Sequence, residues 1–179
     1  MTQEQVTTQP IIETLDAERM EWLLPQYVAL LSELVLDEFS LGFLPPFPPE
    51  EAEAYWRSII EGMRQGSYIV LAATRDGKLL GSVQLELMWK PNQPHRVELQ
   101  KLLVFAAERR QGLGRRLVQA AEETTRAIGR SLIVLDTQTE STAYYLYQKL
   151  GYNIVGAVPN FALLPDGSYC PTTYFYKQL

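Results

Sequence analysis

Two glycines stand where a helix should begin. The run Arg109-Arg110-Gln111-Gly112-Leu113-Gly114-Arg115 lies between the strand-like segment Val97–Val104 and a helical pattern over Gly112–Ile128. That pattern sets Leu113, Leu117, Ala121, Thr124 and Ile128 on one face, with Gly129 closing it. Glycine inside a helix costs about 1 kcal/mol relative to alanine, so two in one turn need a reason. Close approach supplies one. Bare of Cβ atoms, the N–H groups of Gly112 and Gly114 can touch phosphate oxygens at the positive end of the helix dipole. Arg109, Arg110 and Arg115 add charge that suits a diphosphate. The plain alternative is a basic, solvated helix start with chance glycines.

A dinucleotide-binding fold is the serious rival, because Asp136 follows the glycines at the end of another strand. Against it, Leu117 occupies the place of the third glycine, and Phe105–Gln111 is a long loop where that fold turns tightly. The neighbouring strands also read as hairpins. A Walker loop fails too, since no Lys-Ser or Lys-Thr pair follows the glycines.

The rest of the chain supplies the frame. Ile11–Leu15 reads as a strand and Asp16 as the cap of a helix. From Trp22 to Phe39 the apolar residues recur at helical spacing, in one helix or two. Gly42–Pro49 holds four prolines and reads as a stiff aromatic loop before a helix near Glu50–Met63. Tyr68–Thr74 and Lys78–Trp89 flank the hairpin turn Arg75-Asp76-Gly77. After the glycine loop come the apolar run Leu132–Leu135, read as a strand covered on both faces, and a helix over Ser141–Leu150. That helix sets Ala143, Leu146, Tyr147 and Leu150 on one face. Tyr152–Val158 and Thr172–Tyr176 follow as strands. Hairpins first and strand–helix alternation later predict an α+β fold, a mixed, mostly antiparallel sheet of about seven strands with helices on both faces.

At 179 residues this is one domain, residues 10–179, behind a flexible tail of residues 1–9. A single cysteine, Cys170, and a single histidine, His95, exclude a disulfide framework and nearly exclude a Cys/His metal site; no metal is expected. A formal net charge of -5 argues against nucleic acid as a partner. With neither a membrane-span-length apolar run nor a signal-peptide pattern, the chain reads as soluble and cytoplasmic, without a membrane partner. A homodimer stays open.

Arg109–Gly114 fits the R-x-x-G-x-G/A signature of the GCN5-related N-acetyltransferases, and Tyr147-Gln148-Lys149-Leu150-Gly151-Tyr152 is similar to that family's Y-x-K-x-G-F/Y segment. With a weaker N-terminal half, the resemblance covers most of the chain from about Ile11. Leu135-Asp136-Thr137, the Pro165-Asp166-Gly167 turn and the ending Thr172–Leu179 resemble members that confer toxin or antibiotic resistance. Glu140 departs from the pattern, standing where many members carry Asn. The resemblance implies acetyl-CoA as cosubstrate. Its pantetheine arm would pair with the backbone of Leu102, Leu103 and Val104 like an added strand, beside Ala143 and Tyr147. Its pyrophosphate would lie on Arg109, Arg110, Gln111, Gly112, Leu113, Gly114 and Arg115, and a small-molecule amine would approach from the other side.

Acetyl transfer needs a base for the incoming ammonium and an acid for the departing thiolate. Glu98 and Asp136 are the carboxylates that can reach the cleft between their strands, as base or as binder of the ammonium. A surface strand residue and a turn cap are the alternatives for them. Tyr147 is the candidate acid. Spacing alone favours a core tyrosine, and the family resemblance favours the acid. His95 reads as solvated and Cys170 as a bystander. Trp22, Trp56, Tyr27, Phe43 and Phe47 read as core, and the Phe43–Phe47 loop as a wall of the acceptor pocket. Amino acids and amino-acid-like antibiotics, polyamines, aminoglycosides and protein N-termini all remain acceptors on this reading. A CoA-binding sensor and a nucleotide-dependent oxidoreductase remain as rival functions.

Overall fold

Four strands are laid down as antiparallel neighbours before the sheet changes direction. The computed structural model describes residues 9–37 and 41–179. In it β1 (Ile11–Leu15), β2 (Tyr68–Arg75), β3 (Lys78–Leu87) and β4 (Arg96–Val104) pair in succession. Next, β5 (Leu132–Gln138) runs parallel to β4, and β7 (Tyr169–Gln178) lies between β5 and β6 (Asn153–Leu163). The seven-stranded order is β1-β2-β3-β4-β5-β7-β6. Helices α1 (Ala17–Leu36) and α2 (Pro49–Arg64) cover one face, and α3 (Leu113–Ala127) and α4 (Thr142–Lys149) the other. This is the α+β mixed sheet expected from the sequence.

Local chemistry sets the element ends. The Asp16 carboxylate caps α1 by accepting the Arg19 backbone N–H at 2.7 Å. Asp76 and Gly77 both take positive φ, 52° and 76°, the type I′ geometry that matches strand twist in a two-residue hairpin. Pro49 opens α2 at a position where no N–H is needed. The predicted helix over Trp22–Phe39 is one helix that starts earlier, at Ala17. Its predicted end at Phe39, and residues 1–8 of the predicted tail, lie outside the described residues.

Two cores flank the sheet. On one side Met20, Leu23, Tyr27, Leu30 and Leu31 of α1 meet Trp56, Ile59 and Ile60 of α2 over Val70, Ala72, Leu79 and Leu103. The Trp56 indole donates to the Tyr27 carbonyl at 2.9 Å, so its one polar atom is satisfied in the core. On the other side Leu117, Val118 and Ala121 of α3 pack on Leu71, Val83, Leu85, Val97, Leu99, Ile133 and Phe175. Phe47 is buried with Trp56 and Tyr27, whereas Trp22 is 58% exposed and carries Arg19 over its ring at 4.5 Å. Trp22 is therefore not core, because the buried stripe of α1 passes through Met20, Leu23 and Leu24.

Several faces differ from expectation. The buried stripe of α3 runs through Leu113, Leu117, Val118, Ala121, Glu122 and Thr125 rather than Thr124 and Ile128. The helix ends before Ile128, which is 42% exposed. In α4 only Tyr147 is buried; Ala143, Leu146 and Leu150 pack at the margin of the core. Ile133 and Leu135 are buried but Leu132 and Val134 only half so, because the α1–α2 core does not extend over β5. The last hairpin is longer than expected, its strands reaching the turn at Pro165–Gly167.

Candidate active site

Pairing between β4 and β5 stops after Arg96↔Leu132, Val97↔Ile133 and Glu98↔Val134. Beyond it β4 keeps β3 and β5 keeps β7, so the sheet opens into a cleft. A bulge accompanies the opening. Between the pairs Gln84↔Gln100 and Ser82↔Leu103, β4 carries one residue more than β3. Lys101 sits in that stretch with φ 48°. The bulge reverses the alternation: Val97 and Leu99 belong to the α3-side core, but beyond it Leu102 and Val104 pack on that side and Leu103 crosses to the α1–α2 side.

The α1–α2 side of the cleft is polar. Glu86 and Glu98 stand directly opposite each other on β3 and β4. A hydrogen-bonded row runs beside them. The Tyr55 hydroxyl donates to Gln84 Oε1 at 3.1 Å, Gln84 Nε2 to Gln100 Oε1 at 3.0 Å, and Gln100 Nε2 to Glu86 Oε2 at 2.8 Å. Burial, reinforced by the charges of Glu86 and Asp136, pushes the Glu98 carboxyl above the usual carboxylate range, against the opposing pull of Arg96. Asp136, the more exposed of the two, is also raised by burial, with the Lys101 ammonium acting against the shift. It lies inside β5 opposite Tyr174 rather than at the strand end, which removes the turn-cap alternative; Ser141 caps α4 instead. Tyr174 and Tyr68 feel the same carboxylates.

The other side is built for an anion. Gly112, at φ 78°, begins α3 with no side-chain cap, and a Cβ there would meet nothing within 4 Å. The first N–H groups of the helix are thus left for an acceptor from outside. Arg110, itself at φ 63°, Gln111 and Arg115 are exposed around it. Arg109 is also engaged within the protein. Its Nε donates to the Val104 carbonyl at 3.2 Å and its guanidinium meets Asp37 at 3.3 Å, which ties the loop to α1. Gly114 lies where a Cβ would be 3.5 Å from Leu146 and 4.0 Å from Leu102, so α3, α4 and β4 converge on it. That is ordinary contact distance, so Gly114 is not required by packing.

Tyr147 stands on α4 in the α3-side core, near enough to Asp136 to feel its charge. Its ring packs on Tyr152 and Phe175, with centroids 5.4 and 6.1 Å away. Burial, and then the Asp136 charge, holds the phenol well above its ordinary pKa, so it stays protonated at neutral pH. The structure therefore brings Glu98, Asp136 and Tyr147 to one cleft. Glu86, Gln100, Lys101, Tyr68 and Tyr174 join them, although the sequence did not single them out. Polar residues at alternate positions in two apolar strands, Gln84 and Glu86 against Glu98 and Gln100, are the signal that marks part of this set. His95 is exposed in its turn and Cys170 is buried away from any histidine. No cluster of three or more His, Cys, Asp or Glu suited to a metal occurs among the described residues.

The sequence model of the acetyltransferase (GNAT) family matches residues 29–152, well over half of the chain. The chain belongs to the GNAT family. Its fold is that of solved GNAT structures. An N-acetyltransferase from Staphylococcus aureus Mu50 superposes with a TM-score of 0.78 at 16% identity, over 96% of this chain and 99% of that one. The putative acetyltransferase yncA of Salmonella typhimurium, solved with acetyl-CoA, gives 0.76 at 18% identity, over 96% and 95%. An aminoglycoside 6′-acetyltransferase of type Ii gives 0.69 at 27% identity, over 94% and 96%. Among the described residues no helix is long and apolar enough to cross a membrane.

Proposed function

We propose that this GNAT enzyme moves the acetyl group of acetyl-CoA to the primary amine of a small molecule by direct attack, with no covalent enzyme intermediate. One observation carries the reading. The parting of β4 from β5 has an uncapped, glycine-led helix start on one side and the carboxylates Glu98 and Asp136 on the other, with Tyr147 near enough to Asp136 to feel its charge. Gly112–Arg115, with Arg110 and Gln111, would hold the pyrophosphate, and the unpaired edge of Leu102–Val104 the pantetheine arm. Glu98, or Asp136 through a water, takes the proton of the acceptor ammonium. The freed lone pair forms the C–N bond, the C–S bond breaks, and Tyr147 protonates the leaving thiolate. The second proton lost by the nitrogen returns to the tyrosine through solvent.

The likeness to an aminoglycoside acetyltransferase supports a small-molecule acceptor, and the acidic cleft supports an amine that arrives as a cation. Leu135-Asp136-Thr137, Pro165-Asp166-Gly167 and Thr172–Leu179 resemble a tabtoxin resistance acetyltransferase, which supports a toxin or antibiotic. We also propose a cytoplasmic location and a homodimer paired along the open edge of β6. The test is thiol release from acetyl-CoA across amino acids, polyamines, aminoglycosides and toxins. Amine-dependent release supports the enzyme; acetyl-CoA binding without release from any amine leaves a CoA-binding sensor, and preference for NAD(H) an oxidoreductase.

A further inference from the structure

We infer that Lys101 reads a carboxylate on the acceptor, so that the amine acetylated here belongs to a molecule carrying an acid group beside it. The inference rests on the acetyltransferase reading above and narrows its substrate class. Lys101 is a half-buried cation on the acceptor side of the cleft. Its Nζ donates to the Leu41 carbonyl at 2.7 Å and lies 5.5 Å from the ring centroids of both Phe43 and Tyr55. Among the described residues no carboxylate comes within 4 Å of it, although Asp136 is near enough for each charge to affect the other.

An ammonium has three donors, and one is used. A neutral amide could hold the Leu41 carbonyl without the cost of burying a charge. The cation also occupies a backbone position with φ 48°, which a lysine adopts only at a cost. The bulge that imposes this conformation aims Gln100 and Lys101, successive residues, at the same side of the sheet. A half-buried charge kept at this expense beside the reacting carboxylates, with no carboxylate of the described residues within 4 Å, wants a counter-ion, and the acceptor can bring it. Glu98 and Asp136 for the ammonium and Lys101 for the carboxylate then match the two charges of an amino acid. Phe43 and Tyr55 shield the ion pair from water, which strengthens it.

The experiment compares thiol-release kinetics of the full chain on amino acids and on their carboxamides, which lack the charge Lys101 would meet. Each rate is referred to the concentration of free amine, because the amide's ammonium is the more acidic. The wild-type enzyme is expected to favour acids over amides in kcat/KM by about tenfold or more. Lys101→Met should bring the acid-to-amide ratio of kcat/KM close to one by slowing the acids far more than the amides, with acetyl-CoA affinity unaltered. Lys101→Arg should keep much of the preference. Equal or faster wild-type turnover of amides overturns the inference and needs no variant to fold. So does a Lys101→Met enzyme that loses both series alike. No release with either series, or turnover of amides alone, overturns this inference; the acetyltransferase reading falls with it only if polyamines, aminoglycosides and toxins also give no release while acetyl-CoA binds.

Discussion

Glu86 and Glu98 face each other across an antiparallel pair, an arrangement that costs stability because like charges sit directly opposite. A carboxyl whose folded pKa is raised destabilises the fold as pH climbs through the ordinary carboxylate range, and does so fully above the raised value. Glu98→Gln should therefore raise Tm at pH 8, by about one or two degrees, and leave it unchanged at pH 4 or below. The same substitution should lower kcat/KM by about a hundredfold and abolish the acid limb of the pH–rate profile, which in the wild type falls above the usual carboxylate range. Thermal scans at both pH values, with kinetics alongside, check both outcomes. Tyr147→Phe keeps the ring on Tyr152 and Phe175, so acetyl-CoA affinity by calorimetry should hold while kcat falls about tenfold to a hundredfold. An unchanged kcat would return Tyr147 to the core.

The helix that presents Tyr147 is held by a buried ion pair. Lys177 on β7 meets both oxygens of Glu122 on α3 at 2.8 and 2.9 Å, and donates to the Leu150 carbonyl at the end of α4 at 2.8 Å. Glu122 is only 6% exposed. Lys177→Met strands that carboxylate and should cost about 3 kcal/mol, roughly a ten-degree fall in Tm, while adding Glu122→Gln should restore most of it. A double-mutant cycle by thermal unfolding measures the coupling. Such pairings are invisible in the sequence, because Glu122 and Lys177 meet only through the packing of α3 against β7. The glycine loop was legible because its cause is local: a positive φ at Gly112 and bare N–H groups lie within a few residues. The Asp-Gly hairpin was legible for the same reason. Glu98 and Asp136 were found as ends and faces of strands, but Glu86 needs the β3–β4 register and Lys101 the extra residue in β4. The stripe of α3 was misread by one position in its last turns because Thr124 and Thr125 are chemically alike, and packing alone chooses between them.

The sheet as a whole ends differently on its two sides. β1 is five residues long, whereas β6 has eleven and is exposed along nearly its whole length. Val155 is 67% exposed, Phe161 47% and Ile154 46%, with Tyr169 of β7 adding 63% nearby. An apolar edge with unpaired N–H and C=O groups is a template for another strand; β6 carries no lysine or arginine to blunt it, and Pro159 with the bulges at Val155 and Pro159–Phe161 confines such pairing to short stretches. A second copy supplies a matching edge, and two-fold symmetry places each substitution in the contact twice. The wild-type chain should therefore pass from monomer to dimer as concentration rises in sedimentation velocity. Val155→Lys should weaken that dimer by about tenfold or more, since two ammonium groups would be set into one interface. Its acetyl-CoA affinity should be unchanged, because the glycine loop and the β4–β5 cleft lie elsewhere on the sheet. Identical sedimentation of both proteins at every concentration would mean that the β6 edge is not where copies meet.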